Sequence, residues 1–357
     1  MTLQGRQAQG GSVPTRSRFL PRSLRGGIPG GVGAPTFLLL DRWHPGAPVR
    51  VPFLRLQAAM LRSLTLVTIL LPLLLPEFLP ESSGPSLASD DAVPLIIAHR
   101  GASGHAPEHT LPAYDLAVEM GAHVLEPDLQ MTRDGVLIAF HDATLDRTAR
   151  GPAEFCTGPV RERTLAEIRQ CDVGSWFNER FPERADPAFE GLQVVTLDEL
   201  FLRYGDRVRW YPETKQPEDN PGMEEALVEL LHRHGLRDAA VERGQVLIQS
   251  FDPESLQRLR ALDPALPLVQ LLPRQALVDR TAAEVLEAVS AYAQGVGPNH
   301  TLVDAGFMEA ARANGLFVHP WTVNDAGIMD RLLDLDVDGI FTDFPDLLAE
   351  RIAASEG

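Results

Sequence analysis

Residues 95–142 decide how the chain is read. They run Leu95-Ile96-Ile97-Ala98-His99-Arg100-Gly101, then Pro107-Glu108-His109-Thr110, Leu125-Glu126-Pro127-Asp128 and Ala139-Phe140-His141-Asp142. Two histidines, an arginine and several carboxylates fall at or just past the ends of short apolar runs. Runs of this length bounded by turn residues read as strands, and the carboxyl ends of parallel strands aim side chains at a common mouth. Proton transfer, anion binding and a hard cation are what phosphodiester cleavage requires, and these residue types supply them.

Outward from this stretch, strand and helix alternate. Thr110 caps a predicted helix that Gly121 ends. His123 to Met131 reads as a strand. Arg133-Asp134-Gly135 turns the chain, and Val136 to Phe140 returns as the second arm of a hairpin. Later strands are predicted at 208–211, 246–249, 266–272, 295–297, 316–319 and 339–341. Helical stripes separate them, at 224–234, from Pro253, and at 282–293, 305–313 and 326–333. About eight strands over the 264 residues from Pro94 match the rhythm of a parallel (β/α)8 TIM barrel. A doubly wound open sheet is the alternative, but no Gly-x-Gly-x-x-Gly follows the first strand.

Residues 143–195 break the alternation with Gly158, Pro159, Gly174, Pro182 and Pro187. They read as a long insertion beside the mouth. Thr164 and Glu167 have capping-box spacing within it, and Thr196 and Glu199 repeat that spacing just after it.

Charge divides the chain. Residues 1–88 hold nine arginines against three acidic residues, whereas the remainder holds 23 basic against 46 acidic residues. An acidic body argues against nucleic acid as a partner. Residues 1–59 are rich in Gly, Pro, Ser and Arg without sustained periodicity. Met60-Leu61-Arg62-Ser63 then opens an apolar run to Leu75, and Ser86-Leu87-Ala88 offers small residues for cleavage. Residues 60–88 therefore read as a secretory signal peptide, too short and too broken by Pro72 for a good membrane span, with an uncleaved anchor as the alternative. Met60 is the expected true start, with 1–59 as mis-assigned upstream sequence or a leader. The mature protein is then expected to be periplasmic or extracellular, with no stable membrane span. In an exported protein, Cys156 and Cys171 are expected to close a loop as a disulfide worth about 3 kcal/mol. Two free buried thiols are the alternative.

Glu126 and Asp128 stand two apart on a strand, so both side chains share a face. Paired carboxylates repel unless protons or a cation intervene. A hard divalent ion satisfies them, with Glu213 as a third ligand from another strand end. Oxygen ligation favours Ca2+ or Mg2+ over zinc. The alternative is a solvated face at a sheet edge. His99 and His141 suit acid–base work. Arg100 and Lys215 are candidate phosphate clamps, with surface ion pairs to Glu108 or Glu213 as the bland reading. His105, His109, His232, His234 and His300 read as surface or loop residues.

At these residues the chain resembles the glycerophosphodiester phosphodiesterase family. The likeness is carried by His99-Arg100-Gly101, Pro107-Glu108-x-Thr110, Gly121-Ala122, Glu126-x-Asp128, Thr132-x-Asp134-Gly135, His141-Asp142, Leu145-x-Arg147-Thr148, Glu213-x-Lys215 and Trp321-Thr322-Val323-Asn324. It extends from Pro94 to the C-terminus. The resemblance implies a TIM barrel with a small insertion after the second strand. It implies a divalent metal on Glu126, Asp128 and Glu213, acid–base roles for His99 and His141, and phosphate contacts from Arg100 and Lys215. Glu108 is implied to orient Arg100 or the metal shell, and Trp321 to wall the pocket. The family usually has Asn at the position of His109 and an apolar residue at that of Pro127. Tyr211-Pro212-Glu213 and the long insertion resemble the exported bacterial branch. The implied reaction is metal-dependent hydrolysis of glycerophosphodiesters to sn-glycerol 3-phosphate and an alcohol. A lysophospholipase D-like activity and a non-catalytic phosphodiester-binding barrel are the alternatives. The oligomeric state is not legible.

Overall fold

The structure is a computed structural model that describes residues 93–355. The leader expected over 1–59 and the signal peptide expected over 60–88 lie outside the described residues.

Short apolar strands buried on both faces suit a barrel, in which the interior and the helix layer each take alternate side chains. Among the described residues eleven strand segments are formed: β1 (Leu95–His99), β2 (Val124–Glu126), β3 (Asp128–Met131), β4 (Leu137–Ala139), β5 (Arg209–Trp210), β6 (Glu213–Thr214), β7 (Ile248–Ser250), β8 (Leu268–Leu272), β9 (Gly295–Pro298), β10 (Phe317–Val318) and β11 (Gly339–Thr342). Prolines explain why there are more segments than staves. Pro127 separates β2 from β3, and Pro212 separates β5 from β6, because proline has no N–H for the ladder. Joined across these breaks, the segments give eight parallel staves, with β4 added antiparallel to β3. β5 reaches the following stave through Leu247 N–H to Trp210 O (2.9 Å), and Gln249 N–H donates to Pro212 O (3.0 Å). Asp338 N–H to Val318 O (3.1 Å) and Phe341 N–H to Pro320 O (3.0 Å) join β10 to β11. β11 pairs with β1, which closes the ring into a (β/α)8 barrel.

The core has two layers. Ile97, Val124, Tyr211, Leu247, Val269, Phe317 and Phe341 fill the barrel beneath its mouth. A larger apolar layer lies between the staves and the surrounding helices. Among those helices, Leu111–Glu119 is capped by Thr110, and Leu197–Tyr204 carries the expected Thr196–Glu199 capping box. Two helices, Leu236–Arg243 and Pro345–Ser355, complete the ring beyond those read from sequence.

After the β3–β4 hairpin the chain makes short helical turns, including Ala153–Cys156, Leu165–Ile168 and Ser175–Arg180. They pack around their own small core of Ile138, Phe140, Leu145, Val160, Ile168 and Val173, which also holds Cys156 and Cys171. These cysteines are joined as a disulfide across 15 residues. Trp176, Phe177 and Phe189 bind this segment to Ala106 and Ala113 beside the first stave.

Candidate active site

Register brings the site together. His99 at the end of β1 pairs with Glu126 at the end of β2. Asp128 pairs with Glu213, and Glu213 with Gln249. Neighbouring strands lie about 4.8 Å apart, so Asp128, Glu213 and Gln249 stand side by side at the barrel mouth, with Glu126 two residues before Asp128 on the same stave and beside His99. The backbone turns sharply there. Arg100 holds a left-handed φ of 62°, which aims its N–H at Glu126 Oε2 (2.9 Å). Gly101 follows with φ 84°, and a Cβ there would lie 2.7 Å from the Ala113 backbone, so only glycine fits.

Glu126, Asp128 and Glu213 are all buried and present carboxylate oxygens within 4.8 Å of one another. Burial and then the charges of Asp128 and Glu213 push the Glu126 carboxyl well up. Glu213 is pushed up to about 8 by burial and by Asp128, against the pull of Lys215. Asp128 goes the other way. Burial opposes its ionisation, but Lys215, Arg100 and a hydrogen bond from His109 hold it well below the usual carboxylate range. The cations in contact are Lys215, whose Nζ lies 2.9 Å from Glu213 Oε1, and Arg100, whose Nε lies 3.0 Å from Asp128 Oδ2. Three buried carboxylates against two cations cannot all ionise unless a further cation replaces their protons. Gln249 donates from Nε2 to Glu126 Oε1 (3.0 Å), while its own Oε1 is buried without a partner. This all-oxygen donor set fits one hard divalent cation.

Each imidazole has a carboxylate behind it. His99 Nδ1 is 2.7 Å from Asp343 Oδ1, and Asp343 also accepts from Ser103 Oγ (2.9 Å) and Asn324 Nδ2 (2.6 Å). Burial pushes the Asp343 carboxyl up, yet these bonds outweigh it and hold it at about 2. His141 Nδ1 is 2.6 Å from Asp142 Oδ1. Arg147 links this pair to Glu108, donating to Asp142 Oδ2 (2.6 Å) and, through two bonds, to Glu108 (2.6 and 2.9 Å). Glu108 therefore sits among guanidinium groups, 3.2 Å from Arg100, rather than on the acidic cluster. Burial raises its carboxyl, but Arg147 and Arg100 bring it to about 2. Lys215 is buried and Arg100 half-buried, and both are ion-paired within the site rather than at the surface.

A cavity of about 170 Å3 opens on His99, Arg100, Glu126, His141, Glu213 and Lys215. Trp321, Phe251 and Leu271 form its apolar wall. Trp321 is fixed by a hydrogen bond from Nε1 to Gly297 O (2.6 Å) and packs edge-on against Phe251 at 5.3 Å. Every residue expected at the mouth from sequence thus lies around this cavity or in direct contact with its lining.

One histidine is not where the sequence reading left it. His109 lies in a loop, as read, but its side chain is buried rather than at the surface. Its Nε2 is 2.9 Å from Asp128 Oδ2 and its Nδ1 is 2.8 Å from the Tyr114 hydroxyl. A left-handed φ of 59° turns it inward, and tertiary packing of this kind leaves no periodic signal. Asp343, Ser103, Gln249 and Phe251 also escaped notice. Asp343 could have been found by the rule that found His99, since it directly follows a strand.

Known proteins similar to this chain point to one family. The glycerophosphoryl diester phosphodiesterase family model matches residues 99–347. A glycerophosphodiester phosphodiesterase of Bacillus subtilis is 47% identical over 262 residues, 73% of this chain and 87% of the relative. A solved glycerophosphodiester phosphodiesterase of Agrobacterium tumefaciens superposes with a TM-score of 0.59 at 29% identity, covering 72% of this chain and 99% of that one. An Oleispira antarctica phosphodiesterase solved with the product sn-glycerol-3-phosphate gives 0.60 at 26% identity, covering 73% and 97%. With the signature residues gathered at one barrel mouth and a relative this similar over most of its length, the chain belongs to the glycerophosphoryl diester phosphodiesterase family.

Proposed function

We propose that the protein hydrolyses glycerophosphodiesters to sn-glycerol 3-phosphate and an alcohol. The observation that carries this reading is the shared cavity: two carboxylate-backed imidazoles, an acidic triad, two cations and an apolar wall face one space. Ca2+ or Mg2+ is the proposed resident on Glu126, Asp128 and Glu213. A bound divalent ion supplies Lewis acidity and lowers the pKa of a coordinated hydroxyl. Arg100 and Lys215 stabilise charge that builds on the phosphoryl oxygens. His99 and His141 exchange protons with the attacking and departing oxygens, and Asp343 and Asp142 hold each ring by Nδ1 so that Nε2 can serve the substrate. Trp321, Phe251 and Leu271 receive the carbon face of the glycerol.

Export is part of the proposal. The apolar segment after Met60 and the Cys156–Cys171 disulfide support it, because disulfides persist in oxidising compartments. Among the described residues no helix is long and apolar enough to cross a membrane. Enzymatic detection of glycerol 3-phosphate released from glycerophosphoglycerol tests the activity. Failure of the purified, metal-supplemented protein to release it contradicts the proposal.

A further inference from the structure

A second space adjoins the first. It is a groove of about 500 Å3 running from His99, Arg100 and Asp343 to Arg147, Trp176 and Phe181 of the insertion. Only His99 and Arg100 line both spaces. Pockets that enclose drug-sized ligands measure about 300–1,000 Å3. The catalytic cavity falls below that range, so the rest of a diester must extend beyond it, and the groove is the space that opens from the same two residues.

The chemistry of the groove is selective. Its carboxylates are already engaged: Asp343 by His99 at 2.7 Å, Glu108 by Arg147 at 2.6 Å and Glu179 by Arg150 at 2.7 Å. Each already has a basic partner, which weakens its pull on an ammonium group. Nor do the aromatics form a cage for one. The Trp176 ring carries the Arg147 guanidinium at 5.7 Å, and Phe181 carries that of Arg184 at 4.3 Å. A second cation placed there meets like charge. By contrast Arg180 lines the groove, is exposed and makes no ion pair among the described residues. Guanidinium groups bind hydroxyl and anionic oxygens through several donors at once.

Resting on the activity proposed above, we propose that this groove seats the leaving alcohol and prefers a polyol bearing negative charge to one bearing a quaternary ammonium. Arg180 supplies the preference and Trp176 the floor.

The test compares kcat/KM for glycerophosphocholine and for glycerophosphoinositol 4-phosphate at low ionic strength, in the wild type and in Arg180→Glu. The expected result is a preference of about tenfold or more for the anionic substrate, the worth of one charge-assisted contact. It should be expressed mainly in KM and shrink at 0.5 M salt, where exposed charges are screened. Arg180→Glu should bring the ratio to about one or below. Equal kcat/KM in the wild type, or a preference unchanged by Arg180→Glu, overturns the inference while leaving the activity standing. No glycerol 3-phosphate from either substrate overturns the activity itself.

Discussion

Asp343 follows His99 by 244 residues in the chain, yet its Oδ1 lies 2.7 Å from His99 Nδ1. Closure of the barrel brings them together, because β11 pairs with β1. The carboxylate fixes which ring nitrogen faces the cavity. Asp343→Asn should retain the fold and lower kcat by about 10- to 1,000-fold with little change in KM. Steady-state kinetics on a variant whose circular dichroism matches the wild type checks this, and an unchanged kcat removes Asp343 from the machinery.

His99 lines both the catalytic cavity and the adjoining groove, whereas His141 lines only the cavity. If the alcohol departs through the groove, His99 stands against the departing oxygen. His99→Ala and His141→Ala should each lower turnover of a glycerophosphodiester by on the order of 100-fold or more. On a p-nitrophenyl diester, whose leaving group needs no proton, His99→Ala should recover most of its loss and His141→Ala should not. Equal recovery by both variants contradicts the assignment.

The acidic cluster ties metal to stability. Burial and mutual repulsion raise Glu126 and Glu213, the latter to about 8 from an ordinary 4.5. The metal-free folded state therefore holds protons that the unfolded chain has already released. Its stability declines as pH rises from about 4.5 through 8. A divalent ion held there would replace those protons, so the gain in Tm on adding Ca2+ or Mg2+ should be larger at pH 8.5 than at pH 6. Glu213→Gln should flatten the metal-free decline and diminish the gain. Thermal scans with and without EDTA measure both, and a metal-induced gain independent of pH contradicts this account.

The Cys156–Cys171 bond pins the insertion against its own small core. Replacing both cysteines by serine should cost up to about 3 kcal/mol of stability by the chain-entropy model. Denaturant unfolding of the double variant against the wild type tests it. An unchanged midpoint shows that the packing of Phe140, Leu145 and Val173 suffices without the bond.

How far the sequence reached depends on what kind of signal each feature leaves. Strands such as β1 and β8 are short apolar runs between turn residues, and the sequence marks them well. Glu126 and Asp128 declare themselves by their period of two. The capping boxes at Thr164 and Thr196 were legible because a side chain three residues on completes each one. Leu236–Arg243 was not, since it buries only Leu236, Ala239 and Ala240 and carries no long apolar stripe. His109 was misjudged because its burial is created by Tyr114 and Asp128 rather than by its sequence neighbours. Arg147 appeared within a motif, but its bridge between Glu108 and Asp142 exists only once the insertion folds against the first stave.

The central claim is that Glu126, Asp128 and Glu213 hold a divalent ion in a site that releases glycerol 3-phosphate. The most direct measurement is glycerol 3-phosphate release from glycerophosphoglycerol by one preparation assayed as purified, after EDTA and dialysis, and after restoring Ca2+ or Mg2+. The account predicts release that EDTA abolishes and the restored ion recovers, with Glu126→Gln not recovered at the same ion concentration. Full release from the stripped protein, or full recovery of Glu126→Gln, contradicts it.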